Sequence, residues 1–125
     1  MDARIKRELA LVMQAYGEID VAPDMRWFVI REWALADGWN MQHTRLLVLI
    51  PTGYPITAPD NFFTDLGLMV GAGTQPGNTS LAQPIPGPQW LQFSYHIETG
   101  EWQPESGHDL LTFLAAVRRR LQEVS

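Results

Sequence analysis

The window 51–88 limits the fold of this chain more than any other stretch. Its 38 residues hold seven of the nine prolines and six of the ten glycines. Proline fixes φ and has no N–H for a ladder or a helix, and glycine weakens any regular element that contains it. The window is therefore read as mostly irregular. Irregular segments of this length are uncommon inside compact domains and are often functional. The regular elements must come mainly from the flanks.

Residues 3–16 predict an amphipathic helix. Ile5, Leu9, Val12, Met13 and Tyr16 recur at steps of three and four, and Gly17 follows as a stop. Arg4, Lys6 and Arg7 make its first turns basic, either as ordinary solvated charge or as a docking face for an acidic partner. "RWFVIREW" (26–33) and "TRLLVLI" (44–50) predict strands separated by a turn at Asp37-Gly38. A third short strand is expected within 61–70 and a weaker one at 18–22. Connections this short favour antiparallel pairing. Residues 107–124 predict the last helix, with Leu110, Leu111, Phe113, Leu114, Val117 and Leu121 on its apolar face. Ser106 is the candidate N-cap, Asp109 adds negative charge to the first turn, and Arg118, Arg119 and Arg120 sit where a helix end favours cations. The expected class is α+β. It comprises an N-terminal helix, an antiparallel β-meander of about four strands, the Pro/Gly-rich segment and a C-terminal helix, all in one domain over 1–125.

Composition removes several functions. Hydrophobic residues make up 46%, charged residues 18%, and the formal net charge is −5. That describes a folded globule, not a basic nucleic-acid binder. No apolar run approaches the roughly 18 residues of a membrane span. The N-terminal stretch mixes acids with bases, unlike a targeting peptide, so the cytoplasm is the expected location. With no cysteine, disulfides, thiolate metal sites and thiol catalysis are excluded. A chain in which a cysteine has been exchanged would look the same. Gly71-Ala72-Gly73 runs into loop residues, whereas a phosphate-binding loop needs a helix there. His43, His96 and His108 show no metal-ligand spacing. No cofactor is expected.

Two stretches are more specific. "PTGYPITAP" (51–59) follows a strand directly and repeats proline at Pro51, Pro55 and Pro59, so the strand must end and the chain turn extended. Tyr54-Pro55 is an aromatic-proline pair that packs or adopts a cis bond. Further on, "QFSYH" (92–96) places Ser94 two residues before His96, shortly ahead of "EWQP" (101–104).

In this order the elements resemble the ubiquitin-conjugating enzyme superfamily. Those domains run from a helix through antiparallel strands to a hydrophobic strand feeding Pro-x-x-Tyr-Pro-x-x-Pro, here "LIPTGYPITAP". A short strand, a long irregular segment with the catalytic cysteine, Trp-x-Pro and a long helix follow. Here these are "NFFTD", 66–93, "WQP" at 102–104 and the helix over 107–124. The resemblance covers nearly the whole chain, without the further C-terminal helices of many eukaryotic members. More narrowly, the sequence is similar to a prokaryotic family of that superfamily. Its genes lie beside those for activating-enzyme-like proteins, ubiquitin-like proteins and deconjugating peptidases, a setting that points to antiphage defence. "WLQFSYH" is similar to that family's Trp-…-Ser-x-His element.

The resemblance implies a site. In the typical member the catalytic cysteine lies eight residues before the Trp of Trp-x-Pro; eight before Trp102 is Ser94. The chain departs from the pattern twice: the cysteine is serine, and "QPIPGPQ" (83–89) stands where His-Pro-Asn is usual. A serine needs a base within hydrogen-bond reach, and His96 has a suitable ordinary pKa. In a regular strand, however, Ser94 and His96 would be roughly 6–7 Å apart, and His96 acts equally well on an incoming acceptor. Gln83, Gln89 and Gln92 are amides available for the oxyanion role, Gln92 foremost, with backbone amides as the alternative. The implied function is transfer of a ubiquitin-like C-terminus from an activating enzyme to a target through an oxyester on Ser94. The alternatives are a non-catalytic scaffold of the same fold and an exchanged cysteine. The implied partners are an activating-enzyme-like protein, docking on the helix with Arg4, Lys6 and Arg7, and a ubiquitin-like protein. Neither nucleic acid nor membrane is implied.

Overall fold

Gly17, with φ 90°, ends the first helix in the left-handed conformation that glycine adopts without strain. The computed structural model describes residues 2–98 and 100–125. Helix α1 (Asp2–Tyr16) leads into β1 (Ile19–Val21), β2 (Trp27–Ala34), β3 (His43–Leu49), β4 (Phe62–Thr64), β5 (Thr79–Ala82) and β6 (Trp90–Phe93). A 3-10 turn (Pro104–Ser106) and helix α2 (Leu110–Gln122) complete the order. The α+β class and both helices agree with the sequence.

The sheet departs from the expected meander. It has six antiparallel strands in the order β1-β2-β3-β4-β6-β5. The chain passes over one position, so β6 lies between β4 and the edge strand β5. The extra strands are short. Thr79–Ala82 is bracketed by Gly77-Asn78 and Gln83-Pro84, and four residues are too few for alternation to stand out. The window 51–88 is otherwise irregular, as its prolines dictate; the Tyr54-Pro55 bond is cis.

Both helices cover one face of the sheet. Ile5, Leu9 and Val12 of α1 and Leu110, Phe113, Leu114, Val117 and Leu121 of α2 pack against Phe28, Ile30, Leu46, Val48, Phe62, Leu91 and Phe93. Met13, expected in that stripe, is exposed. The opposite face carries a smaller cluster of Val29, Leu47, Phe63 and Trp90. Helix α2 begins later than the sequence pattern predicts. Asp109, not Ser106, is its N-cap and forms a reciprocal box with Thr112. Pro104 and left-handed Gly107 confine Ser106 to the preceding 3-10 turn.

Candidate active site

A buried carboxylate ties the Pro-rich element to both helices. Glu8, 3% exposed, accepts from the Tyr54 hydroxyl, from the Leu110 N–H at 2.9 Å and from Arg4 Nε at 2.6 Å. Arg4 also donates to the His108 carbonyl at 3.0 Å. Burial first, and the bond to Glu8 second, push the Tyr54 phenol well above its ordinary pKa. The Trp102 indole N–H donates to the Pro55 carbonyl at 2.6 Å, and its ring lies 6.3 Å from that of Tyr54. The Pro-rich element, the Trp-x-Pro and the start of α2 are thus one assembly. Glu8 gave no sequence signal beyond being a charge on the apolar stripe of α1, beside Leu9 and Val12.

The segment after β6 is held residue by residue. Phe62 of β4 pairs with Phe93 of β6. One step outward, Asn61 N–H donates to the Tyr95 carbonyl at 2.8 Å, and the Tyr95 N–H donates to Asn61 Oδ1 at 3.0 Å. The partner of residue 61 is therefore 95, not 94, and Ser94 has no counterpart on the β4 side. The β4–β6 ladder ends at Phe62–Phe93, and this contact just beyond it is out of step by one residue. On its other side Ser94 stays in register with β5, its N–H donating to the Asn78 carbonyl at 2.9 Å. Tyr95 turns inward, its ring 5.9 Å from Phe62 and 6.4 Å from Phe113. Ser94 and His96, which flank it, are both exposed. Asn61 and Asn78 hold φ values of 60° and 57°, in the region asparagine tolerates better than most residues.

The slip also sets the partner of His96. Its Nδ1 is paired with the Asp60 carboxylate. Nε2 has no hydrogen-bond partner among the described residues, nor has the Ser94 hydroxyl, and no bond joins the two. Sequence reasoning missed Asp60, Asn61 and Asn78. The only trace was their turn chemistry, Pro59-Asp60-Asn61 and Gly77-Asn78.

Gln92 lies within β6, opposite Phe63 and Ser80, and by strand alternation shares the face of Trp90, away from the helices. No hydrogen bond joins it to Ser94 or His96 among the described residues. Gln83 is exposed and donates to the Gly87 carbonyl at 2.5 Å; Gln89 is exposed. The N–H groups of Ser94 and Tyr95 are already committed to Asn78 and Asn61. The Gln92 side-chain amide, Asn61 Nδ2 and the His96 backbone N–H donate to nothing among the described residues. Lys6 and Arg7 are exposed on α1, whereas Arg4 is half-buried and committed to Glu8. Among the described residues no cluster of three metal-ligating side chains occurs, and no helix is long and apolar enough to cross a membrane. His108 Nδ1 accepts the Gln103 N–H at 3.0 Å, a structural bond.

The family model for prokaryotic E2 family E matches residues 8–124. The chain belongs to that family. No curated protein and no solved structure matches it. The match makes the chain a conjugating-enzyme-like protein, and the α+β fold with a helix at each end is consistent with an E2-like fold, although its six strands exceed the expected four.

Proposed function

We propose that this family member accepts the C-terminus of a ubiquitin-like protein from an activating enzyme as an oxyester on Ser94 and passes it to a target. The observation that carries the reading is the placement of Ser94 just past the end of β6. It leaves one exposed hydroxyl unmatched between two pinned neighbours, beside an exposed His96 and eight residues before Trp102.

In the first half-reaction Ser94 Oγ attacks the thioester carbonyl. A C–O bond forms and the C–S bond breaks. The hydroxyl proton passes to His96 Nε2 and then to the departing thiolate. Gln92, Asn61 Nδ2 and the His96 N–H are the donors available to the oxyanion. In the second half an amine or hydroxyl of the target attacks the ester, and Ser94 recovers its proton. Lys6 and Arg7 of α1, with Arg4 behind them, form the activating-enzyme contact. ATP is consumed by that partner and not by this chain. The bacterial setting of the pathway is in keeping with antiphage defence, and the cytoplasm is the compartment proposed.

A non-catalytic scaffold is the second reading, favoured by the missing Ser94–His96 hydrogen bond. Apo sites often close such bonds only with substrate. Incubation with the activating enzyme, the ubiquitin-like protein and ATP, read by intact mass, separates the two. Catalysis gives an adduct that survives thiol reductant, is released by hydroxylamine and is lost in Ser94→Ala. A stable complex without adduct selects the scaffold.

A further inference from the structure

We infer that Asp60 is a positioning residue that fixes the tautomer of His96 and leaves Nε2 as the proton acceptor. The inference rests on the catalytic reading of Ser94 only for its consequence; the tautomer itself is a property of the free protein.

The register makes the pair. Continued in step, the Phe62–Phe93 pairing would set Asn61 against Ser94 and Asp60 against Tyr95, whose ring packs inward. Beyond the ladder the contacts are offset by one. Asn61 then meets Tyr95 through two hydrogen bonds, and Asp60 meets His96. Asp60 is also held from behind, because Pro59 before it is buried and has a fixed φ. The one-residue offset beyond the ladder thus sets the carboxylate beside the imidazole, while alternation leaves Ser94 and His96 exposed.

The pair adds little to the stability of the fold. The side chains are 67% and 59% exposed, and ion pairs so open to water contribute little to folding. Its consequence is local. A neutral imidazole has one N–H, and the bond made by one nitrogen decides which nitrogen keeps the lone pair. With Nδ1–H donated to Asp60, the lone pair stays on Nε2, which has no partner among the described residues. That is the arrangement by which a carboxylate orients a histidine toward a hydroxyl nucleophile. The pair also stands between two clefts. His96 lines one of about 140 Å³ with Trp102 and Arg119, and Asp60 lines one of about 550 Å³ with Asn61 and Trp27.

The test has two arms. Ring nitrogen NMR of the full chain at a pH where His96 is neutral should show Nδ1–H in the wild type. In Asp60→Asn, whose amide can donate to Nδ1, the proton should move to Nε2. Melting temperatures should agree in both chains. An unchanged tautomer overturns the inference. In the second arm, acetyl-Gly-Gly mercaptoethanesulfonate thioester is the acyl probe, and acylation of Ser94 is followed by mass. Asp60→Asn should slow it by about 10- to 1000-fold, with Asp60→Glu recovering part of the rate. An undiminished rate in Asp60→Asn also overturns it. Failure of the wild type to be acylated counts against the nucleophile reading alone, and the tautomer arm then decides the role of Asp60.

Discussion

Asn61 and Tyr95 exchange two hydrogen bonds, one residue out of step with the neighbouring Phe62–Phe93 pair. One of those bonds uses the Asn61 side chain, so the slip depends on the kind of residue at 61 as well as on the backbone. Its φ of 60° adds a second requirement, because a Cβ is strained there and asparagine tolerates it better than most.

Substitutions at 61 separate the two requirements. Asn61→Gly keeps the backbone freedom and loses the acceptor for the Tyr95 N–H, a cost of about 1 kcal/mol. Asn61→Ala loses the acceptor and meets the left-handed strain, for a total of about 2–3 kcal/mol. Urea denaturation should rank the chains wild type, Gly, Ala. Alanine no worse than glycine would mean that the left-handed backbone at 61 relaxes.

Tyr54 gives the fold an alkaline limit. In the unfolded chain the phenol loses its proton near pH 10, whereas burial and Glu8 let the folded chain keep it to higher pH. Above pH 10 the folded state therefore holds the extra proton. The stability Tyr54 contributes is intact below that pH and falls as pH rises, by at most about 1.4 kcal/mol per unit for one proton. Denaturation midpoints at pH 9, 10 and 11 should drop more steeply for the wild type than for Tyr54→Phe. Parallel curves would assign the loss to other groups.

Much of this fold was legible because its signals are local. The strand ending at Pro51, the spacing of Ile5, Leu9 and Val12, and the eight residues from Ser94 to Trp102 all lie in the order of the chain. Strands β5 and β6 are harder to read because each has four residues and the stretch between them is rich in proline. Distance along the chain hid Asp60 and Asn61, which are more than thirty residues from their partners and meet them just past the β4–β6 ladder. Arg4 and Lys6 look alike in sequence. The bonds of Arg4 to Glu8 and to the His108 carbonyl hold it half-buried, whereas Lys6 is exposed.

A Ser94→Cys chain tests whether position 94 is built for acyl transfer whatever its nucleophile. A thiol reaches its reactive form near neutral pH far more readily than a hydroxyl. With the activating enzyme, the ubiquitin-like protein and ATP, this chain should be charged faster than the wild type. Its adduct should vanish on a non-reducing gel once reductant is added, while the wild-type adduct persists. No charging of Ser94→Cys would rule out position 94 as the acceptor.

Reversal of charge on α1 distinguishes binding from folding. Lys6 and Arg7 are exposed, so Lys6→Glu with Arg7→Glu should leave the melting temperature within about 2 °C. Rim charges act mainly on encounter, so affinity for the activating enzyme should fall roughly tenfold at low salt, with the difference shrinking as salt is raised. Arg4→Glu should behave differently. It sets a second carboxylate beside buried Glu8 and removes the donor to the His108 carbonyl, and breaking a buried pair costs about 3–5 kcal/mol. Arg4 is 29% exposed, which places the loss toward the low end of that range. Calorimetry at two salt concentrations with a parallel thermal melt checks both expectations. If the Lys6/Arg7 reversal leaves affinity unchanged at low salt, this helix is not where the activating enzyme docks.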